Sequence, residues 1–516
     1  MVKYTSTKQL SFEAFKTPFQ RGLDPKNRWI RLAEMIPWDA LAKIYMEKLC
    51  IDFGRPAIKP RVVIGAMIIK HKKSLSDEAT IEEIRENPYL QYFIGNEEFS
   101  HERPFDPSLF VTLRKRIGEQ EFNEMSQAFI DKVEAIERPQ KRKSPKTKSE
   151  KTQVEDQGVC SSETETRSQN RGKLILDASV APQDIRYPTD LELLNEAREH
   201  TERLIDSLYE PAPGKRKPRT YRRNARKDYL SIAHKKKKSK KEIRKAIRKQ
   251  LNYLKRNIGT INNLLGDEIG KPIPLKPREL RLFWIIQELY RQQKQMYEER
   301  SHQIAGRIVS ISQPHVRPIV RGKSGKEVEF GAKLSVSLVN GYSFLDRLSW
   351  DAFNESNDLI SQVERYRARF GFYPEVVITD KIYGTRENRK YLKSKGIRFS
   401  GKPLGRPVKL SEEDMKLLRA KRRQHRADSR LRNQIEGKFG EGKRKYDLDC
   451  VKAKTMRTSE SWIAAVFFVM NLAHWLRADF FVPFLKGLEI LLLLVINHVK
   501  EHFFLSVDNI ELQLQH

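Results

Sequence analysis

Two near-continuous apolar runs, KLILDASV and EVVITD, limit what this chain can fold into more than any other feature of its sequence. Runs without polar alternation fit strands buried on both faces, and such a sheet needs helices to cover it. Each run leads to an acid, Asp177 in the first and Asp380 in the second, which predicts a carboxylate at the C-terminal end of each strand. Further strand signals lie in EVEFGAKLSVSLV and GYSFLDRLSW, with Asn340 and Gly341 as the hairpin turn between them. A helix from about Asn354 to Phe370 precedes the second run. Helix ENRKYLKSK, the short strand GIRFS and a helical segment over about 428–445 follow it, and the apolar helix SWIAAVFFVMNLAHWLR is expected to pack on the sheet. The order strand, hairpin, helix, strand, helix, strand, helix predicts a mixed α/β sheet. A large basic helical insertion, about 185–305, comes after the first strand.

Residues 1–137 read as a mostly helical, DNA-binding domain ahead of this one. In PRVVIGAMIIKHKKSLSDEATIEEIREN the apolar residues keep helical spacing up to Ile69, and Ser74 and Ser76 offer N-caps for a second helix through Ile81 and Ile84. A helix-turn-helix and an ordinary helical hairpin both fit that pattern. Residues 138–173 have almost no large apolar side chain and read as a flexible linker to the sheet-bearing domain, 174–478. The remainder, 479–516, is an apolar tail whose greasiest window is broken by Pro483, Lys486, Glu489 and Asn497. It falls short of the roughly 18 uninterrupted apolar residues of a membrane span, so no membrane partner is expected. Cys50, Cys160 and Cys450 lie far apart, which indicates neither a disulfide framework nor a zinc site and suits a reducing cytoplasm.

Charge narrows the partner. Lys and Arg number 99 against 67 Asp and Glu, a formal +32 over 516 residues, which argues for a polyanion such as nucleic acid. The insertion concentrates this excess in KRKPRTYRRNARKDYLSIAHKKKKSKK, where Arg222, Arg223, Lys235 and Lys236 are candidate phosphate contacts. Part of such a run is simply a solvated face.

The segment RLRNQIEGKFGEGKRKY places two acids, Glu436 and Glu441, in basic surroundings. Carboxylates at two strand ends and one on a helix suggest hard divalent cations such as Mg²⁺, held as two ions by Asp177, Asp380 and Glu436, with Mn²⁺ able to substitute. Ser429, Arg432, Glu436 and Lys443 follow at intervals of three, four and seven, one stripe of a helix. Arg432 and Lys443 could then grip phosphate beside the ions, while Glu441 points about 140° away. The bland alternatives are two loop acids and an i,i+4 surface ion pair.

LILDASVAPQDIRYPTDLELL, VVITDKIYGTRENRKYL and RLRNQIEGKFGEGKRKYDL resemble the three catalytic regions of bacterial insertion-sequence transposases of the DDE class. Their last region carries a Tyr-x2-Arg-x3-Glu-x6-Lys pattern; Arg432, Glu436 and Lys443 fall in register with it, and Ser429 stands where that pattern has Tyr. GRPAIKPRVVIGAMIIK and NPYLQYFIGNEEF are similar to the N-terminal domain of these transposases. The resemblance implies an RNase H-like core, shared with retroviral integrases, and metal-dependent cleavage and strand transfer at the ends of a mobile element. It implies double-stranded DNA as partner, both terminal inverted repeats and target. A homodimer in the DNA complex and a place at the nucleoid in the bacterial cytoplasm also follow. An RNase H-like nuclease that cuts without joining, and an inactive DNA-binding repressor or architectural derivative, are the alternatives.

Overall fold

A computed structural model describes residues 22–49, 57–141, 170–209, 216–266, 272–323, 326–402, 404–405 and 412–479. The expected linker, apart from its first and last few residues, and the apolar tail from 480 onward lie outside these. By packing, the chain divides into two compact units, one of residues 1–169, 338–344 and 464–516, the other of 170–337 and 345–463.

The first unit is built on seven helices: α1 (Arg28–Met35), α2 (Trp38–Met46), α3 (Pro60–Lys73), α4 (Asp77–Glu86), α5 (Pro88–Ile94), α6 (Leu109–Arg116) and α7 (Glu119–Lys141). Aromatic rings make its centre: Trp29 and Trp38 meet Phe93 edge-on at 5.0 and 5.3 Å. Arg61 lies over the Trp38 ring and donates to the carbonyls of Tyr92 and Phe93, so even its guanidinium is absorbed by the core. The hairpin foreseen around Ser74 and Ser76 is present. Ser76 alone caps α4, its side chain accepting from the Ala79 N–H, whereas Ser74 ends α3 with left-handed backbone. Pro60 to His71 of α3 are all buried, and α4 presents Asp77, Glu78, Glu82, Glu83 and Glu86 against Arg85 alone. The ordinary hairpin is the better description.

A further helix, α15, spans 456–479. From Ala464 it belongs to the first unit, where Phe468 and Trp475 face Phe122 and Phe129 of α7. Its Asn471 still grips the tip of a sheet hairpin, accepting from the Ser343 N–H at 2.8 Å and donating to the Ser343 carbonyl at 2.9 Å.

The second unit carries the sheet: β1 (Lys173–Pro182), β2 (Arg317–Lys323), β3 (Lys326–Val339), β4 (Tyr342–Ser349), β5 (Val376–Ile378) and β6 (Arg398–Phe399). The order is β2-β3-β1-β5-β6, with β4 on β3. β1 and β5 are parallel, as are β5 and β6, and β2 and β3 are antiparallel, so the sheet is mixed as the sequence predicts. One position differs. β1 continues through the buried Val180 and Ala181, so Asp177 stands in mid-strand and not at its end. β3 passes so close to it that a side chain at Gly331 would collide with the Ala181 carbonyl. Helices α12 (Leu359–Phe370), α13 (Arg386–Ser394) and α14 (Glu412–Lys445) complete this part.

Between β1 and β2 come α8 (Asp190–Leu208), α9 (Arg222–Ala233), α10 (Lys240–Gly266) and α11 (Pro277–Glu299), the predicted insertion. Leu193, Leu194, Leu251, Leu254, Ile286 and Leu289 form its apolar core. α9 buries only Ala225 and is held on α10 by polar links, Gln250 to the Ala225 carbonyl and Lys249 and Tyr253 to Asp228.

Candidate active site

Sheet pairing brings the strands of the first two acids together. Lys173, Leu174 and Ile175 of β1 pair with Val376, Val377 and Ile378 of β5. β5 ends at Ile378, two residues before Asp380, and β1 reaches Asp177 two residues after Ile175, so the paired strands lead both acids away in the same direction. Neighbouring strands lie about 4.8 Å apart. Asp380 turns out of β5 to cap a single 3-10 turn (Lys381–Tyr383), accepting from the Lys381 N–H at 2.7 Å, and is largely exposed. Asp177 is half-buried, and its Oδ1 accepts from the Ala178 N–H at 2.9 Å.

Helix α14 delivers the third acid. It packs against β1 and β5, burying Ile435 and Phe439. The edge of the sheet anchors it: Arg398 of β6 makes two hydrogen bonds, 2.6 and 3.0 Å, to Asp428, one turn ahead of Arg432. Burial alone would raise the Asp428 carboxyl, but Arg398 and Gln424 outweigh it and hold it below the usual carboxylate range. Arg432 then stands between two of the acids, 3.2 Å from Glu436 and 3.8 Å from Asp380.

Burial first, then the negative charge of Glu355 and of Glu436, pushes the Asp177 carboxyl up to about 6 against the Ala178 N–H and Arg432. A half-buried carboxylate raised in this way gains from a neighbouring cation. Hard oxygen donors fit Mg²⁺ or Mn²⁺. As the side chains stand, no three acids among the described residues converge at ligand distance, and the Arg432 guanidinium bridges Asp380 and Glu436.

Lys443 lies on the same stripe of α14 but farther along, and its ammonium faces Glu329 of β3 at 3.9 Å. Glu441 is different again. It is mostly buried and pairs with the buried Lys438 at 3.7 Å, so it is not a surface group offsetting local charge.

Of the basic residues singled out in the insertion, Arg222 is tied to Asp206 by two hydrogen bonds and Lys235 to Glu242, while Arg223 and Lys236 are exposed. Arg222, Arg223 and Arg226 of α9, with Arg198 of α8 and Tyr229, line a cavity of about 450 Å³ that also holds Glu199 and Glu202.

Sequence reasoning missed Glu355 and the Arg398–Asp428 pair, which carry no local signal.

Residues 377–473 match the family described as the transposase DDE domain, and that stretch contains Asp380, Arg432, Glu436 and Lys443. Residues 18–116 match a second family, described as a transposase domain (DUF772). Both matched stretches are thus similar to transposase domains. Asp177 falls outside both of them, so its assignment rests on its strand and surroundings. The chain is also similar to uncharacterized protein ORF8 in the nfe locus of Rhizobium meliloti, 37% identical over 123 residues, which is 23% of this chain and 57% of that one. The match therefore spans little more than half of that relative. No solved structure matches. Among the described residues no helix is long and apolar enough to cross a membrane.

Proposed function

We propose that this protein is a DDE transposase that cuts and joins DNA at the ends of an insertion sequence, using divalent cations held by Asp177, Asp380 and Glu436. The observation that carries the reading is the pairing of β1, which bears Asp177, with β5, which leads to Asp380, and the packing of α14 on both strands, with Arg432 linking Glu436 to Asp380. The mixed sheet around them supports an RNase H-like core. Bound Mg²⁺, or Mn²⁺ in its place, would activate the attacking water or 3′ hydroxyl and stabilise the in-line leaving oxygen.

The chain's own residues do the rest. Asp177 of β1, Asp380 after β5 and Glu436 of α14 would hold the cations, which would supply charge neutralisation and activation of the attacking oxygen. Arg432, which bridges Asp380 and Glu436, would then be available to phosphate, and Lys443 continues the cationic stripe along the helix. Arg223, Lys236 and the exposed face of α9 hold further phosphates, with Arg222 and Lys235 contributing charge from within ion pairs. In domain terms, residues 1–137 precede the core, 138–173 link the two, 174–478 carry catalysis and 479–516 form a tail. Double-stranded DNA is the partner, as terminal repeats and as target, with two copies of the chain in the complex at the nucleoid.

Labelled element ends incubated with the full chain and Mg²⁺ test this. Joined products support transposition. Cut but unjoined ends would reduce the protein to a nuclease, and a gel shift with neither product to a DNA-binding derivative.

A further inference from the structure

Helix α14 outruns the sheet it packs on. Its first buried side chain among those described is Asp428, held by Arg398 of β6, and every residue from 419 to 427 ahead of it is exposed, on all sides of the helix. Between 415 and 427 the sequence has no acid. Within this arm Arg419, Arg423, Arg426 and Arg430 follow at intervals of four, three and four, which places all four on one face. At 100° per residue that face points about 130° away from the stripe of Arg432 and Glu436. Among the described residues none of the four guanidiniums has an ion-pair partner, and the acid nearest in sequence, Asp428, is already engaged by Arg398 and Gln424.

A structural role does not account for this ladder. A helix exposed all round gains nothing from packing, and like charges three and four residues apart on one face repel each other. Lysine would keep such a surface equally soluble. Arginine instead offers a planar fork that grips a phosphate through two hydrogen bonds at once. The four arginines span about 16 Å of helix, over which one strand of a duplex presents about five phosphates at 3.4 Å of rise each. We propose that the arm of α14 over 419–430 lies along the duplex that enters the candidate site, with Arg419, Arg423, Arg426 and Arg430 on phosphates of one strand. Along the helix Arg430 and Arg419 stand about 9 and 26 Å from Glu436, which corresponds to about three and eight base pairs. One continuous helix thereby fixes where the chain holds the duplex relative to the bond it cuts. For that register the inference rests on the cleavage proposed above; the phosphate contact itself does not depend on it.

Binding of the full chain to a labelled element end in EDTA, measured at several salt concentrations and by hydroxyl-radical footprinting, tests the arm apart from activity. Arg419→Ala, Arg423→Ala, Arg426→Ala and Arg430→Ala together should lower the slope of log affinity against log salt by about 3.6, or 0.9 for each phosphate, and erase backbone protection about three to eight base pairs from the cut bond. The same four positions changed to lysine keep their charge, so Arg419→Lys, Arg423→Lys, Arg426→Lys and Arg430→Lys together should hold the slope and weaken affinity, because the forked hydrogen bonds are lost. Urea unfolding of the alanine variant should show no loss of stability, since only mutual repulsion is removed. An unchanged slope and footprint in the alanine variant would overturn the proposal and make the arm a solvated face. If that variant does not fold, the lysine variant decides, because a solvated face predicts wild-type affinity there. Protection at another distance from the cut bond would overturn the register. Glu436→Gln separates this inference from the metal-site reading: it should keep the footprint and lose cleavage, and cleavage by that variant would remove the metal-site reading while slope and footprint still judge the arm.

Discussion

At the scale of single residues, charge in the wrong place is what marks the site. Asp380 is exposed, whereas Asp177 is half-buried with its carboxyl pushed up by burial, yet removal of either should have the same catalytic effect. Asp177→Ala and Asp380→Ala are each expected to abolish Mg²⁺-dependent cleavage of labelled ends while leaving a gel shift with the same DNA nearly unchanged. Near wild-type cutting by either variant would refute the metal-site assignment. Glu436 and Glu441 separate by a second measurement. Glu436 is about half exposed beside Arg432, and Glu436→Gln should cost activity but little stability. Glu441 neutralises the buried Lys438, so Glu441→Gln should lower the unfolding free energy in urea by about 1–3 kcal/mol. Equal stability of the two variants would mean that the Lys438 ammonium is compensated elsewhere.

At the scale of elements, α14 is a long basic helix that must lie over a sheet with little apolar surface to hold it. Its hydrogen-bonded anchor to β6 is therefore important. Arg398→Ala removes both bonds to Asp428 and leaves a nearly buried carboxylate without its guanidinium. A loss of about 2 kcal/mol is expected from urea titration, together with slower cleavage, because Glu436 rides on the same helix. Helix α9 makes the opposite case. Its exposed cations contribute little to packing, so Arg223→Ala with Arg226→Ala should leave stability unchanged. For every DNA phosphate that these substitutions deprive of a cation, the slope of log affinity against log salt should fall by about 0.9, measured by DNA binding at several salt concentrations. Arg222→Ala should instead show in stability, since its guanidinium is engaged by Asp206. An unchanged slope in the double variant would make this face of α9 merely solvated.

At the scale of the whole molecule, a chain of +32 still keeps some groups neutral, and this sets its acid tolerance. His71 is fully buried at the end of α3; burial first, then Lys70 and Arg114, push its imidazole down to about 3 against the pull of Asp77. Between that value and the unfolded value of about 6.5 the unfolded chain binds a proton that the folded chain does not, so stability present at pH 7 is lost as pH falls. The unfolding free energy should drop by about 2 kcal/mol from pH 7 to pH 5 through this group, and His71→Leu should flatten that slope in urea titrations at the two pH values.

Much of the fold is legible in the sequence because its signals are local. The apolar runs through Leu174–Leu176 and Val376–Ile378 need burial on both faces whatever lies far away, and Asn340–Gly341 makes its turn from its own backbone. Ser76 announces α4 in the same way. The spacing of Arg432 and Glu436 is likewise a property of one helix. Register, partners and faces are not local. Which residues of β1 and β5 pair, across some two hundred positions of chain, is decided only in the fold, and a slip of one residue would turn Asp177 to the other face of the sheet. That β1 outruns its acid depends on what covers Val180 and Ala181. The acidic surface of α4, the burial of Glu441 and the pairing of Asp428 with Arg398 are set by packing, since a carboxylate's energy depends on the dielectric and charges around it and not on its neighbours in sequence. Sequence alone marked which acids could hold a cation; which charges stand beside them was decided by tertiary structure, because Coulomb energy follows distance in space.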